Sequence, residues 1–111
     1  MAICLIDGNH QKKIDYRPTV DTEAGVVVLF GSTICITSIF ISADELGAVN
    51  WPNAGAQYSI PNVAGAAFAV GADVFVDANN DGLAAGGIGK IGVVSREVAA
   101  GDEEIWFVHE R

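Results

Sequence analysis

The chain has 111 residues and a mass of 11.5 kDa, room for one domain that would bury roughly 60–65 % of its unfolded surface. Six Lys and Arg against fourteen Asp and Glu give a formal charge of −8 and a pI near 4.4, and no basic run is longer than Lys12-Lys13, so nucleic acid is not an expected partner. Mean hydropathy is +0.35, yet no run reaches the ~18–20 apolar residues of a bilayer-crossing helix, so the apolar surplus belongs to ordinary surface or to a protein interface, not to a membrane span.

Met1–Asp7 has no basic leader, and its apolar stretch is too short for a secretory signal, so the chain is expected to remain in the cytoplasm where it is made. Ile3–Ile6 is a short apolar strand candidate. The polar run Asp7-Gly8-Asn9-His10-Gln11-Lys12-Lys13 separates it from Ile14-Asp15-Tyr16. Residues 1–18 therefore read as an N-terminal arm, and 19–111 as a β domain. A free terminal segment carries unpaired backbone donors and acceptors and can add to a sheet edge of a partner. Ile3, Leu5, Ile14 and Tyr16 would then enter pockets beside that edge.

Beyond the arm, thirteen glycines and the scarcity of helix-period segments argue for an all-β chain. Strands are expected at Val26–Phe30, Thr33–Ile41, Ala48–Trp51, Gln57–Pro61, Ala72–Asp77, Ile88–Ser95 and Glu104–His109. Both faces of Thr33–Ile41 are largely apolar, which predicts a strand covered on both sides. Ser42-Ala43-Asp44-Glu45 has the form of a helix-capping box, but Gly47 follows at once, leaving one helical turn at most or a plain loop. Strands this short and this closely spaced favour a small barrel or sandwich.

Asp77-Ala78-Asn79-Asn80-Asp81-Gly82 matches the first half of a calcium loop, with Asp77, Asn79 and Asp81 as the ligand positions. Ile88 stands where the loop needs its bidentate glutamate. The same residues make a hairpin turn, because Asn, Asp and Gly tolerate left-handed backbone. Gly86-Gly87-Ile88-Gly89-Lys90-Ile91 lacks both the first glycine and the final hydroxyl of a phosphate loop. His10 and His109 have no Cys or His at metal-ligand spacing, and no serine sits in a nucleophile elbow. Asp102-Glu103-Glu104 reads as a solvated approach to a strand. No catalytic residue, metal or cofactor is indicated, and an enzyme is not expected.

Cys4 and Cys35 lie among apolar residues and read as buried thiols, with a bridge as the alternative. Trp51, Tyr58, Trp106 and Phe107 would mostly fill the core, and any exposed one would be an interface anchor.

Three stretches share a turn-then-strand form: Glu23-Ala24-Gly25-Val26-Val27-Val28-Leu29, Ala69-Val70-Gly71-Ala72-Asp73-Val74-Phe75-Val76-Asp77 and Ala99-Ala100-Gly101-Asp102-Glu103-Glu104-Ile105-Trp106-Phe107-Val108. They follow Ile14-Asp15-Tyr16-Arg17-Pro18, with Glu45-Leu46-Gly47-Ala48-Val49 and Ile91-Gly92-Val93-Val94 between them. In this order the chain, from about Ile14 to Val108, resembles the capsid decoration, or cement, proteins of tailed phages and prophages, once loosely labelled RecA/RadA-like recombinases. The resemblance implies a structural protein that binds the outer capsid surface of the virion, with the major capsid protein as partner, a homotrimer as the assembled state and the host cytoplasm as its place before assembly. Two positions depart from the family pattern. Val76 breaks the aromatic pair before Asp77, and Asn62 replaces a lysine after the central proline, so no role of that lysine carries over. The alternative is a small cytosolic β-barrel module that binds a peptide or, weakly, calcium.

Overall fold

The computed structural model describes residues 3–7, 13–52 and 56–110. The strands among these residues are β1 (Cys4–Asp7), β2 (Lys13–Tyr16), β3 (Val27–Phe30), β4 (Thr33–Ile36), β5 (Gly47–Asn50), β6 (Gln57–Pro61), β7 (Asp73–Val76), β8 (Gly82–Leu83), β9 (Gly89–Val94) and β10 (Glu104–His109). They form two antiparallel sheets, a large one in the order β1-β6-β10-β9-β7-β8 and a small one in the order β2-β5-β4-β3. The segment expected as an arm thus contributes β1 to the edge of the large sheet and β2 to the edge of the small one.

The all-β expectation holds among the described residues. Seven of the eight expected strands agree with expectation to within one residue at each end, but the run from Thr33 to Ile41 does not form one strand. β4 ends at Ile36, and Ile41 returns only as an isolated bridge to Thr22. The break follows from Thr37. Its hydroxyl donates to the Glu23 carbonyl at 2.7 Å and accepts the Val26 amide at 3.0 Å, so the chain is held to the first glycine-led turn and Ser38–Phe40 are pushed outward. β2 and β8 were not foreseen, the first because the polar run before it masked the alternation, the second because it is two residues long. Ser42–Glu45 forms a tight turn, closed by the Glu45 amide on the Ser42 carbonyl at 3.1 Å, with Asp44 at φ 63°.

β4 is buried on both faces, as its composition predicts. Ile34 and Ile36 join Tyr58, Ile60, Val74, Val76, Ile91, Ile105 and Phe107 in the main core between the sheets. On the other face Cys35 joins Val28, Ile41 and Val49, with Ile14, Tyr16, Phe30 and Trp51 packed around them. The alternation of one four-residue strand therefore divides the protein into two apolar compartments.

The three glycine-led turns expected from the sequence are present, and all use left-handed backbone: Gly25, Gly71 and Gly101 have φ of 75°, 90° and 90°. In the second and third copies the turn closes on itself, Ala72 amide to Ala69 carbonyl at 3.1 Å and Asp102 amide to Ala99 carbonyl at 3.0 Å. In the first copy the Thr37 hydroxyl takes the place of that direct bond.

Candidate interaction surfaces

The four residues expected to make partner contacts fall into two places. Ile3 and Leu5 belong to the large-sheet edge, Ile14 and Tyr16 to the small sheet. Ile3 is only 4 % exposed and its amide donates to the Gly25 carbonyl at 2.9 Å, so its side chain is spent on this chain's own core. Leu5 is 47 % exposed and, with Ala24, Thr37, Ser38 and Tyr58, lines an apolar cleft beside β1. Ile14 and Tyr16 are half-buried against the second compartment.

A second surface is the outer face of the large sheet. Trp106 lies directly opposite Ser59, and Val108 opposite Val93, so these side chains share the face turned away from the core, where Phe107 points inward. Trp106 is half-buried, not a core residue. The Arg96 guanidinium sits 3.7 Å over its ring, and its indole N–H donates to Glu104 Oε1 at 3.3 Å.

Sequence reasoning missed a third set. Val20, Ile39, Phe40 and Leu46 are exposed on two loops that are tied together. The Thr22 and Ile41 amides and carbonyls exchange bonds of 2.8 Å, and the Asp44 amide reaches the Pro18 carbonyl at 2.8 Å. Arg17 Nη1 caps the Asp44 carbonyl at 2.6 Å, and Asp21 Oδ1 accepts the Ala43 amide at 2.9 Å. The usable signal was the pair Ile39-Phe40, apolar on successive positions just after a hydroxyl able to end a strand.

The calcium-loop segment is the hairpin turn between β7 and β8, where Val76 pairs with Gly82. Asp77 Oδ1 accepts the amides of Asn79 and Asp81 at 2.9 and 3.0 Å. Asn80, at φ 65°, turns its side-chain oxygen to the Val27 amide of β3 at 2.8 Å. Ile88, the twelfth position, is exposed and donates its amide to the Val76 carbonyl at 2.8 Å. Among the described residues no group of three or more His, Cys, Asp or Glu is placed to hold a metal ion.

The groups whose titration is perturbed lie inside. His109 is buried, and Nε2 meets the Ile34 carbonyl at 2.8 Å, which makes Nε2 the protonated nitrogen. Nδ1 is buried without a hydrogen-bond partner. Burial lowers the His109 pKa, against the smaller raising effect of the Ile34 carbonyl. Burial pushes the Tyr58 phenol up to about 12, opposed by the 3.0 Å hydrogen bond from Asn50 Nδ2. The Cys35 thiol is pushed up to about 11 by burial, while Cys4 is exposed, which corrects the reading of both as buried; no disulfide joins the two. His109 and Tyr58 pack where the two sheets meet, and Cys35 packs inside the small sheet.

Asn62, where the family pattern has a lysine, is buried and donates through Nδ2 to the carbonyls of Ala66 and Asp102, both at 2.9 Å. It fastens the loop after β6 to the third glycine-led turn. Among known proteins, a family model described as a phage cement protein matches residues 8–109. No curated protein and no solved structure matches the chain.

Proposed function

The chain belongs to the phage cement protein family, and we propose that it acts on the outside of an assembled phage head, binding the major capsid protein across subunit junctions and stabilising the shell. The family match over residues 8–109 is the observation that carries this reading. The mechanism is bridging without chemistry: a rigid β body engages several capsid subunits at once, and weak single contacts sum to tight attachment. The protein is a structural component of the virion, held in the host cytoplasm before assembly, and not an enzyme. A homotrimer suits such a clamp, since closed rotational symmetry gives each copy the same contact.

The contact is assigned to β1 and the cleft around Leu5. Among the described residues β1 is an edge strand of the large sheet, and Leu5, 47 % exposed, is the one of the four expected contact residues that presents most apolar side chain to a partner.

The test mixes the purified chain with expanded and unexpanded capsids assembled from its major capsid protein and measures the occupancy by sedimentation and electron microscopy. Decoration of one or both particle types is the expected result. Leu5→Asp, a change at an exposed side chain, should reduce occupancy at least ~10-fold, about 1.4 kcal/mol. A chain that leaves both capsids bare overturns the proposal, and full occupancy by Leu5→Asp moves the contact off β1.

A further inference from the structure

β3 is the outer strand of the small sheet, and among the described residues one side of it carries no partner strand. In an antiparallel pair, alternate residues turn their backbone groups toward and away from the partner strand. The Val27 amide points away from β4, since it is bonded to Asn80. Leu29, two residues on, points the same way. The edge lies along an open groove lined by Val26–Leu29 together with Val20–Glu23 and Tyr16. The apolar rims, Val20 and Leu29, are 68 % and 49 % exposed. The charged side chains of the lining are Asp21 and Glu23; no Lys or Arg is among them. The Asp77–Asp81 turn, which reaches β3 through Asn80, places two more carboxylates near the closed end.

We propose that this groove is a strand-accepting site for an extended, basic segment of a partner protein, distinct from the β1 contact. The incoming segment pairs with β3 at Leu29, whose amide and carbonyl face away from β4 as those of Val27 do. Its apolar side chains lie between Val20 and Leu29, and its Lys or Arg side chains meet Asp21 and Glu23. Asn80 closes the Val27 end and so sets the register. The charge selects the occupant: at −8, a second copy of this chain is repelled where a basic segment is drawn in.

The test titrates a blocked Lys-Val-Lys-Val-Lys-Val-Lys peptide into the isotopically labelled full chain at low salt, following backbone amides by NMR. Perturbations should appear at Val20–Glu23 and Val27–Phe30, with hydrogen exchange at Leu29 slowed on binding. The Glu-Val counterpart should bind at least ten-fold more weakly, and a peptide N-methylated at its central valine should lose most of its affinity. Glu23→Gln, at an exposed position, should weaken the Lys-Val peptide two- to five-fold. No binding at millimolar peptide, perturbations confined to the edges of β1, β2 or β8, or equal binding of the acidic peptide would overturn the proposal. So would β3 shifts that track protein concentration without peptide, the signature of self-pairing.

Discussion

Tyr16 on β2 and Phe30 on β3 meet edge to face with ring centroids 5.7 Å apart, although their strands form opposite edges of the four-stranded sheet. Three inter-strand spacings in a flat sheet would separate those edges by roughly 14 Å. The small sheet is therefore curled toward closure, wrapping Val28, Cys35, Ile41 and Val49. The molecule combines a sandwich, where β4 faces the large sheet, with an unclosed barrel, where β2 and β3 approach.

Cys35 fills the middle of that curl with no exposed surface, whereas Cys4 is exposed. A thiol reagent should modify one cysteine per chain in the native protein and two in denaturant, since burial disfavours the Cys35 thiolate. Cys4→Ser should abolish the fast reaction and Cys35→Ser should leave it. Rapid native labelling of both would mean the second compartment opens readily.

The pH dependence should expose His109. Its pKa is lowered in the folded state, so below the ordinary value of about 6.5 the unfolded chain binds more protons than the folded one. The stability from this group is complete above that value and is lost as pH falls from there through the folded pKa, by at most about 1.4 kcal/mol per pH unit. Denaturant curves at pH 7.5 and 5.5 should show that loss, and His109→Gln, less stable at pH 7.5, should lack its share. Equal slopes for both proteins would place the acid sensitivity in other groups.

Thr37 carries the first glycine-led turn. Thr37→Val keeps the shape but strips the partner from the Val26 amide and the Glu23 carbonyl, and should cost about 1–3 kcal/mol. Thr37→Ser, which restores a hydroxyl, should recover most of the loss in the same denaturant titration. A Val variant as stable as the parent would remove the bridging role.

Two glycines with the same residue type should behave very differently. A Cβ on Gly92 would collide with the Val108 carbonyl oxygen and the Phe107 ring, where β9 and β10 pair. One on Gly101 meets nothing, and its penalty is the backbone strain of φ 90°. Gly92→Ala should cost more than about 3 kcal/mol or prevent folding, and Gly101→Ala about 1 kcal/mol. Comparable melting temperatures would show that β10 can shift to make room.

For calcium, Oδ1 of Asp77 is already engaged by two amides and the side-chain oxygen of Asn80 by β3. Millimolar calcium should leave the melting temperature of the protein unchanged, because an ion that does not bind the native state cannot stabilise it. A rise of several degrees that disappears in Asp81→Ala would restore the ion-site reading.

The sequence by itself determined what is local or periodic. The turns at Gly25, Gly71 and Gly101 were legible because glycine before a β-branched run supplies the permissive backbone of a tight turn. The double burial of β4 was legible because both of its faces are apolar, and the Asp77–Gly82 hairpin because its residues suit a tight turn. Only the tertiary structure decided the rest. That Thr37 would end a strand depends on Glu23 and Val26, eleven or more positions away. That Ile3 would be core while Leu5 faces solvent depends on β1 docking against β6 across more than fifty residues. The grooved edge of β3 exists because the small sheet curls, and curl is set by packing around Cys35 and Val49, which no stretch of contiguous sequence encodes.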